Sequence, residues 1–105
     1  EHNTGSHNVF IGHLAGYNAS GSNRLYIENS NANSENALIY GEFDNKILSF
    51  NVNTSTVEGK VNIDNVLRLE PRSSEPQDPE EGDMYFDGEM HILRIFDGTQ
   101  WINLW

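Results

Sequence analysis

The chain has 105 residues, only 36% of them hydrophobic, with 14 Asn, 9 Ser and 9 Gly, and a net charge of −10 from 16 acids against 6 bases. That length allows one domain or two very small ones, and the absence of a basic patch argues against nucleic acid and anionic membranes as partners. Without cysteine there is neither a disulfide nor thiol chemistry, and no apolar run approaches the roughly 18 residues that cross a bilayer.

Residues 1–45 are organised by a repeat. Gly5-Ser6-His7-Asn8 leads into Val9-Phe10-Ile11-Gly12, and 16 positions later Gly21-Ser22-Asn23-Arg24 leads into Leu25-Tyr26-Ile27-Glu28. A looser third copy, Asn36-Ala37-Leu38-Ile39-Tyr40-Gly41, follows another Ser/Asn run. Units of this size cannot bury their own apolar face and must stack on neighbours. The spacing predicts strands near Asn8–Ile11, Arg24–Ile27 and Leu38–Tyr40, separated by turns whose Gly and Asn tolerate left-handed backbone. At the repeat offset Val9 stacks on Leu25, Phe10 on Tyr26 and Ile11 on Ile27. Residues two apart share a strand face, so both faces carry apolar side chains. One face is expected to be covered within the subunit and the other by a partner.

Residues 46–69 read as a strand-rich segment, with strands over Lys46–Val52 and Val57–Leu69. Their β-branched content favours strand over helix, and Val61-Asn62-Ile63-Asp64 alternates with period two. Residues 70–82 hold all three prolines of the chain and read as an extended, acidic linker. Residues 83–105 read as a three-stranded meander over Asp83–Phe86, His91–Phe96 and Gln100–Trp105, with turns at Asp87-Gly88 and Asp97-Gly98. Three strands lie at the lower limit of independent stability, so this meander should dock on something else. The fold class expected is all-β.

Chemistry is hard to find. Nucleophile elbow, phosphate loop, dinucleotide fingerprint and zinc-protease motif are all absent, which points away from an enzyme. His2, His7, His13 and His91 have no ligand spacing, although one histidine near a three-fold axis would appear three times and hold an ion. The acids match no calcium loop. Neither a cofactor nor a metal is expected. Tyr85, Trp101 and Trp105 are candidates for stacking on a ligand such as a sugar ring; packing is the competing explanation for Trp101.

A domain this size buries about 60–65% of its unfolded surface, and here the apolar residues are spread over many short strands. The simplest remedy is a closed symmetric oligomer that shares its core. Val9, Phe10, Ile11, Leu25, Ile27, Leu38, Tyr40 and Ile63 are the residues expected to pack subunits together.

The stretch Thr4-Gly5-Ser6-His7-Asn8-Val9-Phe10-Ile11-Gly12-His13-Leu14-Ala15-Gly16-Tyr17-Asn18 resembles the repeat of trimeric fibre proteins of bacteria and their phages. It is similar to the head repeats of trimeric autotransporter adhesins. Gly21–Ile27 and Ala37–Asp44 resemble the closing units of such arrays in Bacteroidetes-type proteins. Leu67–Pro71, Pro79–Asp87 and Asp97–Trp101 resemble a module near the ends of tail-fibre-like proteins. The resemblance implies an elongated homotrimer in an extracellular, cell-surface or virion or injection-particle setting, serving as shaft or adhesive tip. Its implied partners are its own copies, neighbouring fibre or baseplate segments, and a cell-surface glycan. The chain departs from long arrays in having barely two good repeats, and no self-cleaving C-terminal chaperone domain is recognisable in it. It starts at Glu1 without methionine and is expected to be a fragment or processed product. Two alternatives to a fibre segment remain: a glycan- or receptor-binding tip, and a subunit of an open-ended extracellular filament.

Overall fold

The computed structural model describes residues 5–105; Glu1 to Thr4, with His2 and the start of the repeat region, lie outside the described residues. Among the described residues every element is a β-strand. The chain forms two compact units, Glu1–Glu58 and Gly59–Trp105.

The first unit is a four-stranded sheet in the order β1-β2-β3-β4, with β1 Val9–Ile11, β2 Arg24–Ile27, β3 Ile39–Glu42 and β4 Ile47–Phe50. β1 and β2 run parallel with Val9 opposite Leu25, Phe10 opposite Tyr26 and Ile11 opposite Ile27, the register that the repeat offset predicts. Polar side chains bind one repeat to the next. Asn8 accepts from the Arg24 N–H at 2.8 Å through Oδ1 and donates to the Gly21 carbonyl at 3.1 Å through Nδ2. The Ser22 hydroxyl accepts from the Ser6 N–H at 2.9 Å, and the Asn23 N–H reaches the Ser6 carbonyl at 3.0 Å. His7 and Asn23, equivalent in the two repeats, share left-handed φ values of 61° and 64°. Gly5-Ser6-His7-Asn8 is thus clamped to Gly21-Ser22-Asn23-Arg24 of the next repeat. The turns between leave backbone groups that must find partners near the surface.

The third copy departs from the pattern. β3 pairs with β2 antiparallel, Tyr26 opposite Tyr40 and Ile27 opposite Ile39. It is a returning strand, not a further stacked repeat. The reversal is held by Glu28, whose carboxylate accepts from Ser30 Oγ at 2.6 Å and from the Leu38 N–H at 2.6 Å. β3 then forms a hairpin with β4, Gly41 opposite Leu48. The sheet thus runs through the boundary expected at position 45.

The core of this unit is small. Ala19, Tyr26 and Ala37 are buried, with Phe10, Ala15, Ala32 and Tyr40 packed against them. Phe10, Tyr26 and Tyr40 stand side by side across three strands as edge-on ring pairs, with centroids 5.7 and 5.2 Å apart. Such pairs each add about 0.5–1.5 kcal/mol beyond area burial.

The second unit is the expected meander, β5 Met84–Asp87, β6 Ile92–Phe96 and β7 Trp101–Asn103, all antiparallel. The Asp-Gly pairs open four-residue loops, longer than two-residue turns. Each Asp side chain closes its own loop: Asp87 Oδ1 accepts from the N–H groups of Glu89 and Met90, and Asp97 Oδ1 from those of Thr99 and Gln100. An acceptor aimed at backbone donors two and three residues on is what makes Asp a turn residue. The acidic linker is pinned to the meander. Arg72 bridges alongside β5, donating to the Phe86 carbonyl at 2.9 Å and accepting from the Gly88 N–H at 2.8 Å.

The strand expected over Val57–Leu69 is not formed. Residues 51–69 carry no strand and are exposed throughout, and among the described residues no backbone hydrogen bond involves residues 52–71. A strand needs a neighbour to satisfy its N–H and C=O groups, and one chain supplies none here.

Candidate functional site

Strand pairing sorts the side chains of the first sheet onto two faces, because directly paired residues point the same way. One face carries Phe10, Arg24, Tyr26, Tyr40, Glu42, Ile47 and Ser49; the other carries Val9, Ile11, Leu25, Ile27, Ile39, Gly41, Leu48 and Phe50. The first holds the aromatic row, and the chain's own loops cover it through Ala15, Ala19, Ala32 and Ala37. The second has no polar side chain; among the described residues Leu25, Ile27 and Ile39 on it are half-buried, while its outer strands are bare. Ile11, Leu48 and Phe50 are 54, 58 and 57% exposed on it. Sequence alternation showed that both faces are apolar; the structure shows that the aromatic one is closed from within.

The residues expected at subunit contacts divide accordingly. Val9, Ile11, Leu25 and Ile27 lie on the bare face. Leu38, just before β3, and Ile63, in the strandless segment, are exposed. Phe10 and Tyr40 instead pack inside the subunit, because their rings meet Tyr26 across the ladder. A groove of about 560 Å³ runs beside the bare face, lined by Ile11, Ile27 and Leu38 with Glu28, Asn29, Asn36 and Asn51 around them.

The closed face has its own electrostatics. Tyr40 donates to Glu42 Oε2 at 2.6 Å; burial first, and then this bond to a carboxylate, push the tyrosine up to about 12. The same bond, joined by one from Asn45, holds the Glu42 carboxyl below its ordinary value. Glu28 is lowered for the same reason, chiefly by Ser30 and then by the Leu38 N–H.

The meander sorts in the same way. Met84, Phe86, Leu93, Ile95 and Ile102 share one face, all apolar, with Met84 47% exposed. Tyr85, Asp87, Ile92, Arg94, Phe96 and Trp101 share the other. There Arg94 donates to Tyr85 Oη at 3.0 Å, Glu75 at 3.0 Å and Asn103 at 2.8 Å. The tyrosine bond, with Glu75, raises the guanidinium above its ordinary value.

Of the three candidate ligand contacts, Tyr85 is buried, its ring 4.8 Å from that of Trp101 and nearly perpendicular to it. It supports Trp101 from beneath and is closed to a ligand. Trp101 borders a groove of about 520 Å³ together with Glu75, Pro76, Pro79, Arg94 and Gln100. Trp105 is exposed and stands apart from that groove's lining. Glu75 and Arg94 escaped the sequence reading. Their only signal was that Glu75 sits in a linker next to Pro76, a stretch that looked merely solvated.

Among the described residues no group of three His, Cys, Asp or Glu side chains could hold a metal ion. Nor is any helix long and apolar enough to cross a membrane. No family model, curated protein or solved structure matches the chain.

Proposed function

We propose that the chain is a structural segment of a trimeric extracellular or virion fibre, a tail-fibre or adhesin shaft or tip that supports attachment to a surface. The observation that carries this reading is the wholly apolar face of β1–β4, on which Ile11, Leu48 and Phe50 are more than half exposed. A sheet with one dry side closed by its own loops and the other left bare is half of a sandwich. Large aliphatic side chains exposed together on one face mark a contact surface, and copies of the same chain around an axis would close it without leaving free edges.

Sedimentation equilibrium tests it. The expected mass is three times 11.9 kDa, and a well-folded monomer at micromolar concentration overturns the reading. The groove beside Trp101 favours a second reading, a glycan-binding tip, in which the indole stacks on a sugar ring and Glu75 and Gln100 bond its hydroxyls. A glycan array bound by the unaltered chain and not by Trp101→Ala would favour it; an array silent for both removes it.

A further inference from the structure

The strandless segment leaves three requirements unmet at once. Its backbone, from 52 to 71, makes no backbone hydrogen bond among the described residues. Its large apolar side chains are in water, Val57, Val61 and Leu67 at 57, 66 and 66% exposure. And its sequence alternates over thirteen positions, with Asn65 and Val66 as the exceptions, further than the short Val61–Asp64 run. The odd row is Val57, Gly59, Val61, Ile63, Asn65, Leu67 and Leu69, while the even row is Glu58, Lys60, Asn62, Asp64, Val66 and Arg68. Period two over such a length is the pattern of a half-buried strand. In a lone chain that strand has neither a ladder partner nor a cover.

We infer that residues 57–69 become a strand only on assembly, by packing against the same segment of the other copies with the odd row turned to their common axis. This rests on the trimeric reading above and names what the segment contacts within it. Three observations select copies of itself as the occupant. The first is charge: in a chain of net charge −10, the segment holds two acids and two bases, so its copies approach without net repulsion. The second is area. The five exposed aliphatic side chains of the odd row present roughly 450 Å² per copy, the extent at which an apolar patch on a monomer marks a contact surface. The third is continuity. β4 places Leu48 and Phe50 on the bare face, and the odd row begins seven residues after Phe50. Asn65 is the one polar side chain in the row, and its amide, facing its own copies, fixes their register as a single buried Asn does between helices.

The chain has no cysteine, so each single substitution to Cys carries the only thiol. Ile63→Cys and Leu67→Cys, from the odd row, are compared with Asn62→Cys and Asp64→Cys in the full chain under mild oxidation. A disulfide needs Cα atoms within about 7 Å, which only side chains turned to the axis provide. The expected result is at least about ten-fold more covalent dimer from the odd positions on a non-reducing gel. Hydrogen exchange on the unaltered chain gives a readout free of any substitution, with amides of 57–69 expected to be slowed in the assembled state. A trimeric mass with fast exchange over 57–69 overturns this inference and leaves the proposed function standing. A monomeric mass overturns both. Slow exchange with equal cross-linking from both rows, or with none, places the segment against something other than its copies and also overturns the inference.

Discussion

At the scale of single residues, Asn8 does the most for its size. It spans the two repeats with one acceptor and one donor, and no other residue type offers both at that reach. Asn8→Ala should lower the stability of the first unit by about 1–2 kcal/mol, the worth of two such bonds, read as a shift in the denaturation midpoint. Tyr40 makes a pH prediction. Its folded value is raised to about 12 from the ordinary 10.0, so the unfolded chain loses that proton first. The stability it contributes is complete below pH 10 and disappears as pH climbs towards 12. Tyrosinate absorbance should therefore rise in two stages, the second coinciding with loss of the near-ultraviolet circular dichroism of the aromatic row. The repeat spacing made the register of Phe10 on Tyr26 legible, because equal offsets stack equal positions. The carboxylate that holds Tyr40 was not legible: Glu42 two residues on is an unremarkable acid until a strand places both on one face.

At the scale of elements, Gly16 illustrates how tightly the turn between repeats closes. Its φ is +72°, and a Cβ there would stand 2.6 Å from the Phe10 ring. Gly16→Ala combines backbone strain with overpacking and should cost about 2–4 kcal/mol, measurable by thermal unfolding. The two hairpins share a plan that the sequence carries at an offset of 45: Tyr40-Gly41-Glu42 with Lys46-Ile47-Leu48, and Tyr85-Phe86-Asp87 with His91-Ile92-Leu93. In each the tyrosine hydroxyl faces the acid two residues on, at 2.6 and 3.5 Å, and the residue before Ile adopts a left-handed φ, 57° at Lys46 and 60° at His91. Only the tyrosine and the Ile-Leu pair are identical, too little to stand out in one sequence. The antiparallel return of β3 was equally hidden, since Asn36–Gly41 has the composition of a repeat and lacks only the Gly-Ser pair that opens the other two. The side chain that turns the chain back, Glu28, lies outside any turn motif.

At the scale of the whole molecule, the two faces of the first sheet should fail differently when altered. Leu48 stands on the bare face, 58% exposed, and Leu48→Asp should leave the single-chain fold intact while shifting the sedimenting species from assembly to monomer. Phe10→Ala removes one ring of the aromatic row and should destabilise the subunit itself by about 3 kcal/mol, the low end for a partly buried phenylalanine. Sedimentation and circular dichroism together separate the outcomes; a Leu48→Asp chain that still assembles would show that the bare face is not the contact. Alternation alone could not foretell which face closes from within, because Phe and Tyr alternate with Val, Leu and Ile and every one of them is apolar. The decision is geometric: small Ala side chains in the loops fit beneath three rings.

The parallel pairing of β1 with β2 also makes the protein a molecular ruler. Each 16-residue increment returns every side chain to the position directly above its predecessor, at the inter-strand spacing of about 4.8 Å. Duplicating residues 5–20 in tandem should lengthen the sheet by one such notch while preserving both faces. An increment of 15 or 17 would instead move the aromatic rings outward and the aliphatic residues into the cramped space above the alanines. Length in this architecture is thus quantised, adjustable in whole steps and intolerant of fractions.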